Sequence, residues 1–174
     1  MTGPFSFLAG VARLFRHRWN DLFVRGALPT SALQRLTTRT AASEQRHTGQ
    51  IRICVEGGLP WSYLYRNAPV RERALMMFSK LRVWDTEQNN GVLIYLLLAE
   101  HSIDIVADRG LHAHVHNTEW QQMVARMSSA FRAGQFEQGL GLAVDEVTDL
   151  LCRHFPAGPG TQRPNELPDE PHIS

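Results

Sequence analysis

This chain is short of most of the features that usually give a function away. Of its 174 residues only two are cysteine, Cys54 and Cys152, and neither sits in a C-x-x-C. That usage favours two buried free thiols over a disulfide or a metal pair and suits a reducing cytoplasm. Charge of one sign is also missing: 18 basic against 17 acidic residues leave a formal net charge of +1, so nothing global argues for nucleic acid as a partner. No run approaches the ~20 apolar residues of a membrane helix. The amino terminus, MTGPFSFLAGVARLF, lacks the basic residues that precede the apolar core of a secretory signal, so it is expected to belong to the mature protein. Walker loop, dinucleotide fingerprint and nucleophile elbow are all absent. The glycines of GQFEQGLGL lie between two helical patterns and do not form a phosphate cradle.

What is present is enough apolar material, 43% of residues, for one core. Residues 1–28 read as a basic amphipathic segment: Phe7, Val11, Leu14, Phe15 and Leu22 recur at helical spacing over residues 5–25, with Arg13, Arg16 and His17 on the wetter face. It could lie on a membrane surface, but packing on its own domain or on a protein partner is the expected use. Residues 29–156 form the main domain. Ser31 and Gln34 have capping-box spacing for a helix running to about His47. Gln50–Glu56 alternates apolar and polar residues as a strand with one buried face. A loop with Trp61, Tyr63 and Tyr65 leads to a helix traced by Val70, Ala74, Met77, Phe78 and Leu81. Two apolar strands follow, Val92–Leu98 and Ile103–Asp108, joined by a connection of hairpin length. Two more helices run from near Asn117 to Gly134 and from Phe136 to Pro156. Residues 157–174, rich in proline, read as a disordered tail.

Strand, helix, strand predicts a parallel β-α-β pair, with the hairpin strand added antiparallel: an α/β fold on a small mixed sheet. That order brings three places together at one end of the sheet. They are the approach to the first strand (Glu44, His47, Thr48), the approach to the second (Asp85, Glu87, Asn89, Asn90), and the exit of the third (Asp108, Arg109, His112, His114). Gathered carboxylate and amide oxygens suit a hard cation, Ca2+ or Mg2+, with Asp85 and Asp108 as first ligands. The alternative is that the same residues only build turns, the asparagines supplying unusual backbone angles before Gly91. His112, His114 and His116 would share one face if extended, which suits a transition metal, although a solvated loop is the favoured reading.

Four pieces in order resemble the TPM domain, a family that includes a thylakoid lumen phosphatase-like protein and many bacterial members. They are EQRHTG from Glu44; Trp84 with NNGVL from Asn89; the isoleucine-rich strand ending at Asp108–Gly110; and FRAGQFEQGL from Phe131. The resemblance covers roughly residues 30–155 and implies a three-layer α/β/α sandwich, divalent-cation binding and an acid phosphatase activity. The shared NNG carries Asn89 and Asn90 over as site residues, whereas Asp108 rests on topology. Two functions are expected. One is a non-enzymatic interaction module for a protein partner in a membrane-associated complex. The other is a metal-dependent phosphatase in which Arg109 steadies the anion, with Glu44 and His112 as accessory groups.

Overall fold

The computed structural model describes residues 24–158 and 165–174, so the helix expected over residues 5–25 lies almost wholly outside the described residues. The chain enters through α1 (Val24–Ala27) and α2 (Thr30–Glu44). Pro29, with φ near −64°, occupies the N-cap position of α2 and no side chain caps it. The Ser31–Gln34 pair is therefore inside the helix and is not its start, because proline already presets the entering backbone angle.

β1 (Gln50–Glu56) runs parallel to β2 (Gly91–Leu97), pairing Gln50 with Gly91 through Glu56 with Leu97. Between them lie α3 (Trp61–Tyr65) and α4 (Val70–Lys80). The aromatic loop expected at 61–65 is thus one helical turn, too short for a periodic signal and started by Pro60. After β2 a 3-10 turn at Leu98–Glu100 and a left-handed residue, His101 at φ 48°, reverse the chain into β3 (Ser102–Ala107). β3 pairs antiparallel with β2, Val92 opposite Ala107 and Leu97 opposite Ser102. α5 (Arg109–His112), α6 (Asn117–Arg132) and α7 (Phe136–His154) complete the main body.

Helices cover both faces of the sheet, the layering that the family resemblance implies. On one face Ile51, Ile53, Val55, Val92, Ile94 and Leu96 pack with α2, α6 and α7. On the other Cys54, Leu93, Tyr95 and Leu97 meet Ala74 and Met77 of α4. β1 and β2 are therefore buried along their whole length, and the alternation read in Gln50–Glu56 does not leave a wet face. Its charged members are paired instead. Glu56 accepts two bonds from Arg73 (2.5 and 2.7 Å), one from Tyr95 Oη (2.5 Å) and one from Ser174 Oγ (2.9 Å). Burial alone would raise the Glu56 carboxyl, but the bonds from Arg73, Tyr95 and Ser174 outweigh it and hold it below its ordinary value.

Ser174 marks a correction at the carboxyl end. Residues 165–174 do not form a disordered tail. They run alongside β1 and end in β4 (His172–Ile173), parallel to it, giving the strand order β3-β2-β1-β4. Leu167 is buried, Gln50 Oε1 accepts the Glu166 and Leu167 amides (both 3.0 Å), and Arg52 donates to the carbonyls of Pro168 (2.5 Å) and Glu170 (2.6 Å). Proline content suggested disorder; polar side chains of β1 that would otherwise be buried without partners select order.

Candidate functional site at the polar end of the sheet

The three expected chain positions do meet. Thr48, just before β1, donates to Gln88 Oε1 (2.6 Å), and Asn90 Nδ2 donates to Thr48 Oγ1 (3.0 Å). Asn89, just before β2, accepts at Oδ1 from Arg109 Nη2 (2.8 Å) and Nε (3.1 Å), while its carbonyl accepts the Gly110 N–H (2.9 Å). Asp108 donates its N–H to Gly91 O (2.9 Å), closing β3 onto β2.

The NNG triplet has a physical account residue by residue. Asn89 stands at φ 52°, a left-handed angle that asparagine tolerates better than most residues. Asn90 is buried, 1% exposed, and its amide ties the approaches to β1 and β2. Gly91 is required because a Cβ there would lie 2.0 Å from Val83 O. Gly110 is required likewise, its Cβ 2.4 Å from Asn89 O.

Asp108 is the residue with a spare valence. Its Oδ1 accepts the Arg109 N–H (2.7 Å), but its Oδ2 is buried with no hydrogen-bond partner among the described residues. A buried carboxylate oxygen without a donor fits a hard cation. The rest of the expected ligand set fits less well. Asp85 is exposed and paired with Arg82 (2.5 Å), and Asn89 Oδ1 is occupied by Arg109. Among the described residues no three His, Cys, Asp or Glu side chains converge as ligands. The fit is thus confined to Asp108 and neighbouring amide and carbonyl oxygens.

Glu44 lies in an adjoining recess of about 280 Å³ that shares Thr48 and Gln88 with this network and is lined also by His47, Gln50, Glu87 and, from the tail, Glu166 and Asp169. The acidic tail residues were not expected here, and the only trace of them in the sequence is the run from Glu166 to Glu170. Burial pushes the Glu44 carboxyl up to about 8; the Ile51 N–H donated to it (2.7 Å) pulls the other way, and nearby Asp169 raises it further. His47 is buried and lowered to about 4, the Gly49 carbonyl only partly opposing the loss of water. Its Nε2 meets Ser43 Oγ at 2.8 Å, and Ser43 meets Thr148 Oγ1 at 2.5 Å. Ser43 and His47 resemble a nucleophile and base, but they are 6% and 2% exposed, and Thr148 ties them to α7. The geometry is that of a joint between α2 and α7.

The histidine run is not extended. His112 closes α5, His114 stacks on His154 with centroids 5.3 Å apart, and His116 is the N-cap residue of α6. Alternation onto one face is lost because α5 and a turn replace the strand.

This frame of mixed sheet, helical layers and NNG turn corresponds to a known class. A family profile, the TPM domain, matches residues 24–150, and the chain belongs to that family. No curated protein matches it. Among solved structures, the NMR structure of BA42 protein from the psychrophilic bacterium Bizionia argentinensis aligns with a TM-score of 0.73 at 24% identity, covering 84% of this chain and 95% of that one. At that identity the likeness is one of fold.

Proposed function

We infer that this TPM domain works as a binding module for a protein partner and not as a phosphatase. The observation that carries this reading is how the polar end of the sheet uses its side chains. Arg109, the residue best suited to steady a phosphoryl group, is spent on Asn89. Asn90, Thr48 and Gln88 are spent on one another. Chemistry on a phosphate ester needs donors aimed at the substrate and an activated nucleophile, whereas here they are aimed at the chain. The test is turnover of p-nitrophenyl phosphate by the full chain in millimolar Ca2+ or Mg2+. No turnover sensitive to Asp108→Asn or Arg109→Ala is expected; hydrolysis abolished by either substitution would overturn the reading.

One observation, the unpartnered Asp108 Oδ2, favours a cation as an accessory of this module. Bound there, a divalent ion would supply charge to satisfy that oxygen and would stiffen the link between β3 and the Asn89 turn. Titrating Ca2+ or Mg2+ should shift the amide resonances of Asn89–Gly91 and Asp108–Gly110; unchanged spectra at millimolar cation would remove the site.

A further inference from the structure

A wide recess lies away from the polar sheet end. It has a volume of about 730 Å³ and runs between the outer edge of β3 and α6, floored by Ile105, Ala107, Trp120 and Val124. β3 is the terminal strand of the sheet on that side. Because Asp108 donates its N–H to Gly91 across the β2–β3 ladder, strand alternation turns the backbone groups of Ile103, Ile105 and Ala107 away from β2. Arg71 agrees with that placement, since its guanidinium donates to Ile105 O (2.5 Å). Asp104, paired with Arg71, takes the Ile105 N–H. This ion pair plugs the middle rung of the free edge, a device that discourages indiscriminate strand pairing. The rungs on either side, at Ile103 and Ala107, have no partner among the described residues.

Two further groups in the recess lack partners. Trp120 Nε1 is a buried donor with no acceptor among the described residues. Buried indole N–H groups ordinarily find one, and here an acceptor in the groove would reach it once the ring turned toward the opening. Arg132 also lines the groove, and unlike Arg35, Arg39, Arg126 and Arg153 it has no ion pair among the described residues. Two guanidinium groups, Arg71 and Arg132, against one carboxylate, Asp104, leave the lining of the groove positive. α6 itself, 16 residues long, offers a wall of about 24 Å.

We propose that the groove between β3 and α6 receives an extended acidic peptide segment of a partner protein. The segment pairs with the outward backbone of β3, sets apolar side chains on Trp120 and Val124, and places a carboxylate against Arg132. It is a strand-addition mode, in which main-chain bonds give affinity and alternate side chains give selectivity. The proposal rests on the binding-module reading but uses none of the residues of the polar sheet end.

The probe is a short blocked peptide alternating valine and glutamate, titrated into the isotope-labelled full chain. Expected are shifts of the Ile103 and Ala107 amides and of the Trp120 indole N–H, with binding about tenfold weaker for the valine–lysine counterpart. Ala107→Pro removes one outward donor while leaving the β2–β3 ladder bonds intact, a place where an edge strand tolerates proline. It should reduce affinity with the rest of the spectrum preserved. Arg132→Glu, on an exposed last turn, should reverse the preference between the two peptides. No shift at millimolar peptide, shifts confined to another surface, or indifference to Arg132→Glu would overturn the proposal. A chain that hydrolyses phosphate esters and still takes the peptide would refute the binding-module reading and leave the groove standing.

Discussion

Glu44 closes α2 and His47 follows in the approach to β1, yet the two respond to pH in opposite senses. Glu44, pushed up to about 8 from an ordinary 4.5, binds its proton more tightly folded than unfolded. Its contribution to stability is full below 4.5 and drains as pH rises toward 8. His47, lowered to about 4 from 6.5, is buried neutral; its contribution is full above 6.5 and drains as pH falls toward 4. Between 4.5 and 6.5 the two slopes oppose, and above 6.5 only that of Glu44 remains. Thermal unfolding midpoints should therefore fall between pH 6.5 and 8, and Glu44→Gln should flatten that fall. Gly110→Ala tests the turn that holds Asp108. The added methyl would meet two backbone carbonyls, Asn89 O at 2.4 Å and Gln88 O at 2.8 Å, neither able to rotate away. A loss of about 1–3 kcal/mol in urea unfolding is expected, with shifted amides at Asn89 and Arg109. At this scale the NNG triplet was legible as important before its purpose was. Sequence pattern marks that a residue is constrained, but Val83 approaching Gly91 from 8 positions earlier is a fact of packing.

Among the elements, the β1–α4 contact is fixed by one buried pair. Arg73 and Glu56 have side chains 11% and 3% exposed, so removing either leaves the other's charge without its partner. Arg73→Ala should cost about 3–5 kcal/mol in urea unfolding, far more than Arg126→Ala, whose pair with Glu146 has an arginine side chain 52% exposed. That exposed pair is worth about 0–1 kcal/mol. The main elements were readable because each has an apolar stripe of the proper period: Trp120, Val124, Met127 and Phe131 on α6, the continuous run from Val92 to Leu97 in β2. α3 and β4 were not, since five and two residues carry no period. Their positions are set by Pro60 and by the hydrogen-bonding needs of β1. The outward rungs of β3 were equally hidden, because alternation of backbone direction appears only once the strand's partner is known.

For the molecule as a whole, the two edges of the sheet are treated differently. The β3 edge is plugged at Ile105 and, among the described residues, open on either side; the β1 edge is covered by the chain's own residues 165–174. Deleting those residues would strip acceptors from Arg52, a donor from Glu56 and two amides from Gln50. A loss of about 2–4 kcal/mol is expected, together with concentration-dependent self-association on size-exclusion chromatography, since β1 would become an apolar edge. Stability unchanged by the deletion would mean that the tail is an ornament of the fold.

The strap formed by β4 also sets a clock. Arg52 finds its carbonyl partners on Pro168 and Glu170, 116 and 118 positions further along. At ribosomal speeds of about 5–20 residues per second, that separation corresponds to about 6–24 s of synthesis. Once β3 has been made the nascent chain can pair β1 with β2 and β2 with β3, yet until the tail follows it must carry a half-finished sheet whose first strand has a buried arginine and glutamate awaiting their last partners.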